Sequence, residues 1–295
     1  MAGEIDTIRA LLKDKPRPTT YAERRERINA IGAAYPPPAD IPRTPCDAGG
    51  VPGEWSLAPG SDAERVLLYF HGGGYCSGSI ISHRGMVTEA GRAAGMRTLA
   101  VEYSLAPEHP FPAGLEDALA AYGFLRQQGY APAQIAIGGD SAGGGLTLAT
   151  LIRLREAGEA MPGAAWLISP WVDLEMTGGT ITSKAPVDPL ISEGYLRELA
   201  GAYIGGGNAR NPLISPLHAD LSGLPPVLVQ VGSAEELLDE AVWITGRLGA
   251  ADVKVTLEVW PHMIHAWPLW NTVLADGRAA LASAGAFMRA HLAGA

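Results

Sequence analysis

The chain has 295 residues, enough for one large domain or two small ones and for a core that needs no disulfide or metal staple. Its formal net charge is -9, from 22 Lys+Arg against 31 Asp+Glu. That balance argues against a nucleic-acid binder with a basic stripe and against a polybasic membrane-surface protein. With 47% hydrophobic and 18% charged residues, the composition excludes a disordered chain. Cys46 and Cys76 cannot make a disulfide framework and lack zinc-site spacing. Free thiols, an N-terminus without an apolar signal core and the lack of a membrane-length apolar run predict a cytoplasmic protein.

The first 45 residues stand apart. Ile5, Ile8, Leu11 and Leu12 lie at helical spacing, as do Ile28 and Ile31 after the charged run Glu23 to Arg27. They predict two short helices, ended by Lys15-Pro16-Arg17-Pro18 and by Tyr35-Pro36-Pro37-Pro38. From about residue 46 the texture changes to short apolar runs: 66–70, 98–101, 134–137, 165–168, 227–231 and 253–259. Apolar residues at consecutive positions suit strands buried on both faces. Helix-period stretches lie near 84–94, 113–128, 144–157, 235–248 and 278–292. The alternation predicts a mostly parallel sheet with helices on both sides. One interval, from Leu174 to about Leu213, holds no strong buried strand and reads as an insertion.

The sharpest motif is Gly139-x-Ser141-x-Gly143, directly after one predicted strand and before a predicted helix. That is the context of a nucleophile elbow. The turn is tight, so a Cβ at 139 or 143 would crowd the backbone. The serine then stands at a helix N-terminus, where the Ala142 N–H can donate to a developing oxyanion. A second motif, His71-Gly72-Gly73-Gly74-Tyr75, follows the strand ending at Phe70. Its unobstructed N–H groups, those of Gly72 and Gly73 first, suit an oxyanion loop. His71 itself reads as a brace bonded to backbone.

A serine nucleophile needs a base, and the base an orienting acid. His109, His218, His262 and His265 all lie downstream, and the order of such sites favours a late histidine. His262 and His265 both fit. For the acid, the loop after 227–231 offers Glu235, Glu236, Asp239 and Glu240. Glu235 is nearest the strand end. Glu236 and Glu240 read as solvated charges compensating a helix dipole. Asp188 lies in the insertion, upstream of the strand that should present the acid, and is set aside.

Four blocks in order, HGGGY at 71–75, Tyr103 to Ala113, GDSAGGG at 139–145 and His265-Ala266-Trp267, together resemble the bacterial hormone-sensitive-lipase family, its GDSAG subgroup in particular. The resemblance runs over nearly all of residues 45–290. It implies an α/β-hydrolase fold with a mostly parallel eight-stranded sheet, helices on both faces, and a helical cap. Residues 1–45 and the insertion at about 174–210 would form that cap over a catalytic domain of 46–295. It implies Ser141 as nucleophile, His265 as base, and the N–H groups of Gly72, Gly73 and Ala142 as the oxyanion hole. Glu235 stands where the family often has an aspartate followed by Pro-Leu, with Asp239 the alternative. Ser104 departs from the arginine usual after the tyrosine of the second block. Tyr75, Tyr195, Trp267 and Trp270 are candidate pocket walls.

The expected activity is carboxylesterase action on short- to medium-chain acyl esters through an acyl-enzyme. No metal or organic cofactor is implied. The expected partner is a small-molecule ester, without nucleic acid or a membrane span, and family relatives are often dimers. Lactone or amide hydrolysis by the same groups is the alternative. A non-catalytic receptor resembling the plant gibberellin receptor is a further one, disfavoured because Ser141, His265 and an acid at 235 are all present.

Overall fold

The computed structural model describes residues 3–13 and 18–293. Two helices come first, α1 (Glu4–Lys13) and α2 (Tyr21–Ala34). The end of the first helix, expected at Lys15-Pro16-Arg17-Pro18, lies mostly outside the described residues. Next come β1 (Arg43–Asp47), β2 (Pro52–Ser56), β3 (Asp62–Phe70), α3 (Ile80–Ala94), β4 (Met96–Val101), α4 (Ala113–Gln127), β5 (Ile135–Asp140) and α5 (Ala142–Glu156). The chain continues through β6 (Ala164–Ile168), α6 (Thr180–Ser183), α7 (Glu193–Ile204), β7 (Val227–Gly232), α8 (Leu238–Ala250), β8 (Val255–Trp260) and α9 (Ala275–His291).

The strands form one eight-stranded sheet in the order β1-β2-β4-β3-β5-β6-β7-β8. The β1–β2 and β2–β4 pairs are antiparallel and the other five are parallel. This is an α/β-hydrolase fold. The central strands are continuously apolar because alternate residues serve two cores. Val66, Leu68 and Phe70 of β3 belong to the core that also takes in α4, α5 and α8, while Leu67 and Tyr69 belong to the one that takes in α1, α3 and α9. The apolar runs do not foretell β1 and β2. Arg-Thr-Pro-Cys-Asp and Pro-Gly-Glu-Trp-Ser carry no such run, since β1 is an exposed edge strand that tolerates proline and β2 beside it is only partly buried. Helix α3 starts earlier than its apolar period suggests. Ser79 and Ser82 form a reciprocal capping pair: each backbone N–H donates to the other's hydroxyl, at 2.8 and 3.1 Å.

The carboxyl ends of the parallel strands point to one edge of the sheet, where ligand sites of such sheets gather. Helix α2 is held over that edge by two adjacent arginines. Arg24 makes a two-pronged bond to Glu198 of α7, at 2.9 and 2.8 Å. Its guanidinium also lies over the rings of Tyr21 and Tyr195. Arg25 reaches the other way, to both oxygens of Glu108 (3.0 and 2.6 Å) and to the carbonyls of Ala106 and Cys76. One turn of α2 thus ties the 174–213 segment to the body of the sheet. The Arg25–Glu108 pair is half-exposed and screened, so Arg25→Ala should cost about 1 kcal/mol. The expected result is a melting temperature lower by about 2–4 °C, together with faster proteolytic clipping between α2 and β1.

Candidate active site

Ser141 sits between β5 and α5 with φ 54° and ψ -120°, a conformation sparsely populated for any residue with a side chain. The turn closes because its neighbours lack Cβ atoms. A Cβ on Gly139 would lie 2.6 Å from the Phe70 carbonyl oxygen, and one on Gly143 would fall on that same oxygen. The Ser141 N–H donates to Ile168 O at 2.8 Å, and the Ser141 carbonyl accepts from Trp171 at 2.9 Å, tying the elbow to β6 and the residues after it. Ser141 is only 7% exposed.

The oxyanion loop is organised by a buried carboxylate, Asp140 of the GDSAGGG block, for which the motif itself gives no role. Asp140 Oδ1 accepts the Tyr69 hydroxyl at 2.8 Å and the Gly72 N–H at 2.9 Å, while Oδ2 lies 3.2 Å from His83 Nε2. Burial opposes the charge, but His83 and the hydrogen bonds outweigh it and hold the Asp140 carboxyl below its usual range. Here the structure corrects an expectation: the Gly72 N–H is spent on Asp140 and cannot serve an oxyanion. The N–H groups of Gly73, Gly74 and Ala142 take no protein acceptor among the described residues. Gly73 and Gly74 both line the cavity above Ser141. His71 is the brace its position suggested. Its Nδ1 bonds Gly72 O at 2.9 Å, its ring stacks on Tyr103 at 4.4 Å, and burial pushes it down to about 3, so it is neutral.

His265 and Ser141 line one cavity, and His265 is 6% exposed. Its Nδ1 faces Glu235 Oε1 at 3.9 Å, and neither atom has another partner among the described residues. Burial would lower the His265 pKa, but the facing carboxylate wins and the imidazole titrates above its ordinary 6.5. Burial likewise pushes Glu235 upward. The other oxygen, Oε2, accepts the Ser169 hydroxyl at 2.8 Å. Ser169 and His83 belong to no motif, and only the tertiary contacts mark them out.

The competing residues are engaged elsewhere. His262 is exposed, its carbonyl bonded by Arg9 and its N–H by Ser233. His109 is exposed, and His218 lies 3.4 Å from Glu175. Asp239 accepts the Thr180 N–H at 3.0 Å and so anchors α6. Glu236 and Glu240 are not solvated, contrary to the dipole reading. Both are buried, and Glu240 Oε2 accepts the N–H groups of Val172 and Asp173. Asp188, set aside from its position in the chain, is in fact buried at the cavity. It accepts the Glu236 N–H at 3.0 Å, next to Glu235.

The cavity has a volume of about 440 Å³. Ile28 and Ile31 of α2 face it, as do Leu196 and Leu199 of α7 and the rings of Tyr195 and Trp270. Tyr75 and Trp267 are not walls. Tyr75 is buried with its ring stacked on Tyr203 at 3.7 Å, and Trp267 is fully buried beside Trp260. Among the described residues, Asp173, Glu175 and His218 bring metal-ligating atoms within 4.8 Å of one another. Both Asp173 oxygens accept hydrogen bonds, from Thr177 and the Glu175 N–H, and Glu175 Oε2 accepts one from Arg210. No helix among the described residues is long and apolar enough to cross a membrane.

Comparison with known proteins places this geometry. The family described as alpha/beta hydrolase fold matches residues 67–269. An acetyl-hydrolase of Streptomyces hygroscopicus is 43% identical over 93% of this chain and 89% of its own length. An esterase of Acinetobacter venetianus is 35% identical over 89% of this chain and 87% of its own. The crystal structure of an esterase from the bacterial hormone-sensitive lipase family superposes with a TM-score of 0.96 at 44% identity, covering 99% of this chain and all of the other. With an eight-stranded α/β-hydrolase sheet and these relatives, the chain belongs to the bacterial hormone-sensitive-lipase family of esterases and is a carboxylic ester hydrolase.

Proposed function

We propose that the protein hydrolyses short- to medium-chain acyl esters through an acyl-enzyme on Ser141, with His265 as base and Glu235 as the orienting acid. The observation that carries this reading is the line from Glu235 Oε1 to His265 Nδ1, which leaves Nε2 for the cavity that also holds Ser141. The 3.9 Å separation is long for a hydrogen bond. Catalytic hydrogen bonds often tighten only when substrate is bound.

The chemistry follows from these groups. Ser141 Oγ attacks the ester carbonyl while His265 Nε2 takes its proton. Glu235 fixes the ring and stabilises the imidazolium. The oxyanion meets the N–H groups of Gly73, Gly74 and Ala142, each donor worth roughly 3 kcal/mol at such sites. The alcohol leaves with the proton from His265, and water, activated by the same ring, releases the acid. Helix α2 and the segment of about 174–210 act as the cap that walls the acyl and alcohol sides, while residues 43–45, expected in the cap, belong to β1 of the sheet. A cavity of about 440 Å³, with aliphatic side chains from α2 and α7 on its wall, has room for an acyl ester of short to medium length. The acetyl-hydrolase name of one relative supports the short end of that range.

Turnover of p-nitrophenyl esters should peak at short to medium acyl chains and vanish in Ser141→Ala; residual turnover at the wild-type rate would remove Ser141 from the chemistry. His265 must be neutral to act. The raised pKa therefore means that kcat/KM is lost as pH falls through a midpoint above 6.5. Glu235→Gln removes the charge that holds this pKa up. Its acid limb should move to lower pH while kcat falls about 10²–10⁴-fold. Asp239→Asn and His262→Ala should leave the midpoint in place, and a shift in either would reassign the acid or the base.

A further inference from the structure

We infer that Ser169 is a positioning residue of this reaction, its hydroxyl joining the carboxylate of Glu235 to the backbone that carries His265. The inference rests on the Ser141–His265–Glu235 reading above. Ser169 directly follows β6 and is fully buried. Its N–H donates to Gln230 O at 2.7 Å, which fixes it against β7. Its φ of 46° lies in the left-handed region, unusual for a residue with a side chain. That turn aims the hydroxyl at the ends of two further strands.

The direction of each hydrogen bond follows from chemistry. The Ala266 N–H, 3.1 Å away, can only donate, so Ser169 Oγ accepts it. The single hydroxyl proton is then left for Glu235 Oε2, at 2.8 Å. One oxygen thus links the loop after β7, which carries the acid, to the residue after the base. The remaining donor on Oε2, the Gly232 N–H, is 3.4 Å away and much weaker. The hydroxyl therefore holds the carboxylate plane so that Oε1 faces the imidazole.

The bond also answers an electrostatic problem. The carboxylates of Asp188, from the 174–213 segment, and of Glu240, from α8, act on Glu235, while Asp188 and Asp140 act on His265. Glu235 itself is fully buried. What favours the Glu235 charge is the facing His265 imidazole and the Ser169 hydroxyl, the shorter of the two donors on Oε2. Without the hydroxyl, the pair takes up a proton at higher pH.

The test uses Ser169→Gly, which accepts the left-handed backbone, and Ser169→Ala. Both full-length proteins are assayed with p-nitrophenyl butyrate across pH. The expected result is a kcat lower by about 10–100-fold, the range one charge-assisted hydrogen bond supplies, with KM nearly unchanged. The acid limb of kcat/KM should move to higher pH, opposite in sign to the shift in Glu235→Gln. A purely structural role would lower the active fraction, read by titration with a fluorophosphonate, and leave the midpoint still. An unmoved midpoint, or wild-type kcat in Ser169→Gly, would overturn the inference. Turnover surviving in Ser141→Ala would instead overturn the reading beneath it, whatever the Ser169 variants do.

Discussion

Everything at this site depends on how closely the first turn of α5 can lie against the end of β3. The Phe70 carbonyl is the contact surface, and it leaves no room for a Cβ at Gly139 or Gly143. Because both are glycine, the chain can reverse at Ser141 in a conformation that costs about 1–3 kcal/mol. The neighbouring strands supply what holds it there, with Ile168 O and the Trp171 N–H bonded to the Ser141 backbone. The same proximity brings the loop after β3 beside the serine, so the glycine N–H groups and the hydroxyl come to one cavity without a separate device.

Buried charge is the second theme, and each buried carboxylate solves its desolvation differently. Asp140 gathers a tyrosine hydroxyl, a glycine N–H and a histidine, and stays below its usual range. In doing so it pins the oxyanion loop, because the Gly72 N–H that it accepts sets the direction of the next two amides. Glu240 accepts two backbone N–H groups after β6, yet burial still drives it well above the ordinary carboxylate range. Glu235 has one short donor, the Ser169 hydroxyl, and faces His265; burial pushes it upward and the imidazole and the hydroxyl work against that. That is the arrangement a base needs: an anion whose stabilisation grows when the ring becomes a cation.

The wall of the cavity is assembled from segments far apart in the chain. Helix α2 contributes Ile28 and Ile31, and α7 contributes Leu196 and Leu199. Arg24 and Arg25 hold these pieces in register, one turned to α7 and the other to the loop before α4. Helix α1 is tied to the histidine-bearing loop by the Arg9 bond to His262 O.

The local pattern of residues was enough for six strands, the helices between them and the elbow, because each is written in consecutive or helix-period positions. The two antiparallel edge strands were not legible, since half-exposed strands such as Pro52–Ser56 need no apolar run. The acid was not legible from spacing either. Glu235, Glu236, Asp239 and Glu240 lie within six residues, and what separates them is the partner each meets across the fold: His265, the neighbourhood of Asp188, Thr180 and the backbone after β6. For the same reason the sequence does not separate the Gly72 N–H from those of Gly73 and Gly74, does not show that Tyr75 and Trp267 are buried away from the cavity, and does not mark Ser169. Local order follows from backbone sterics and hydrophobic period, which neighbours in the chain determine. Hydrogen-bond partners and burial are decided only when distant segments meet.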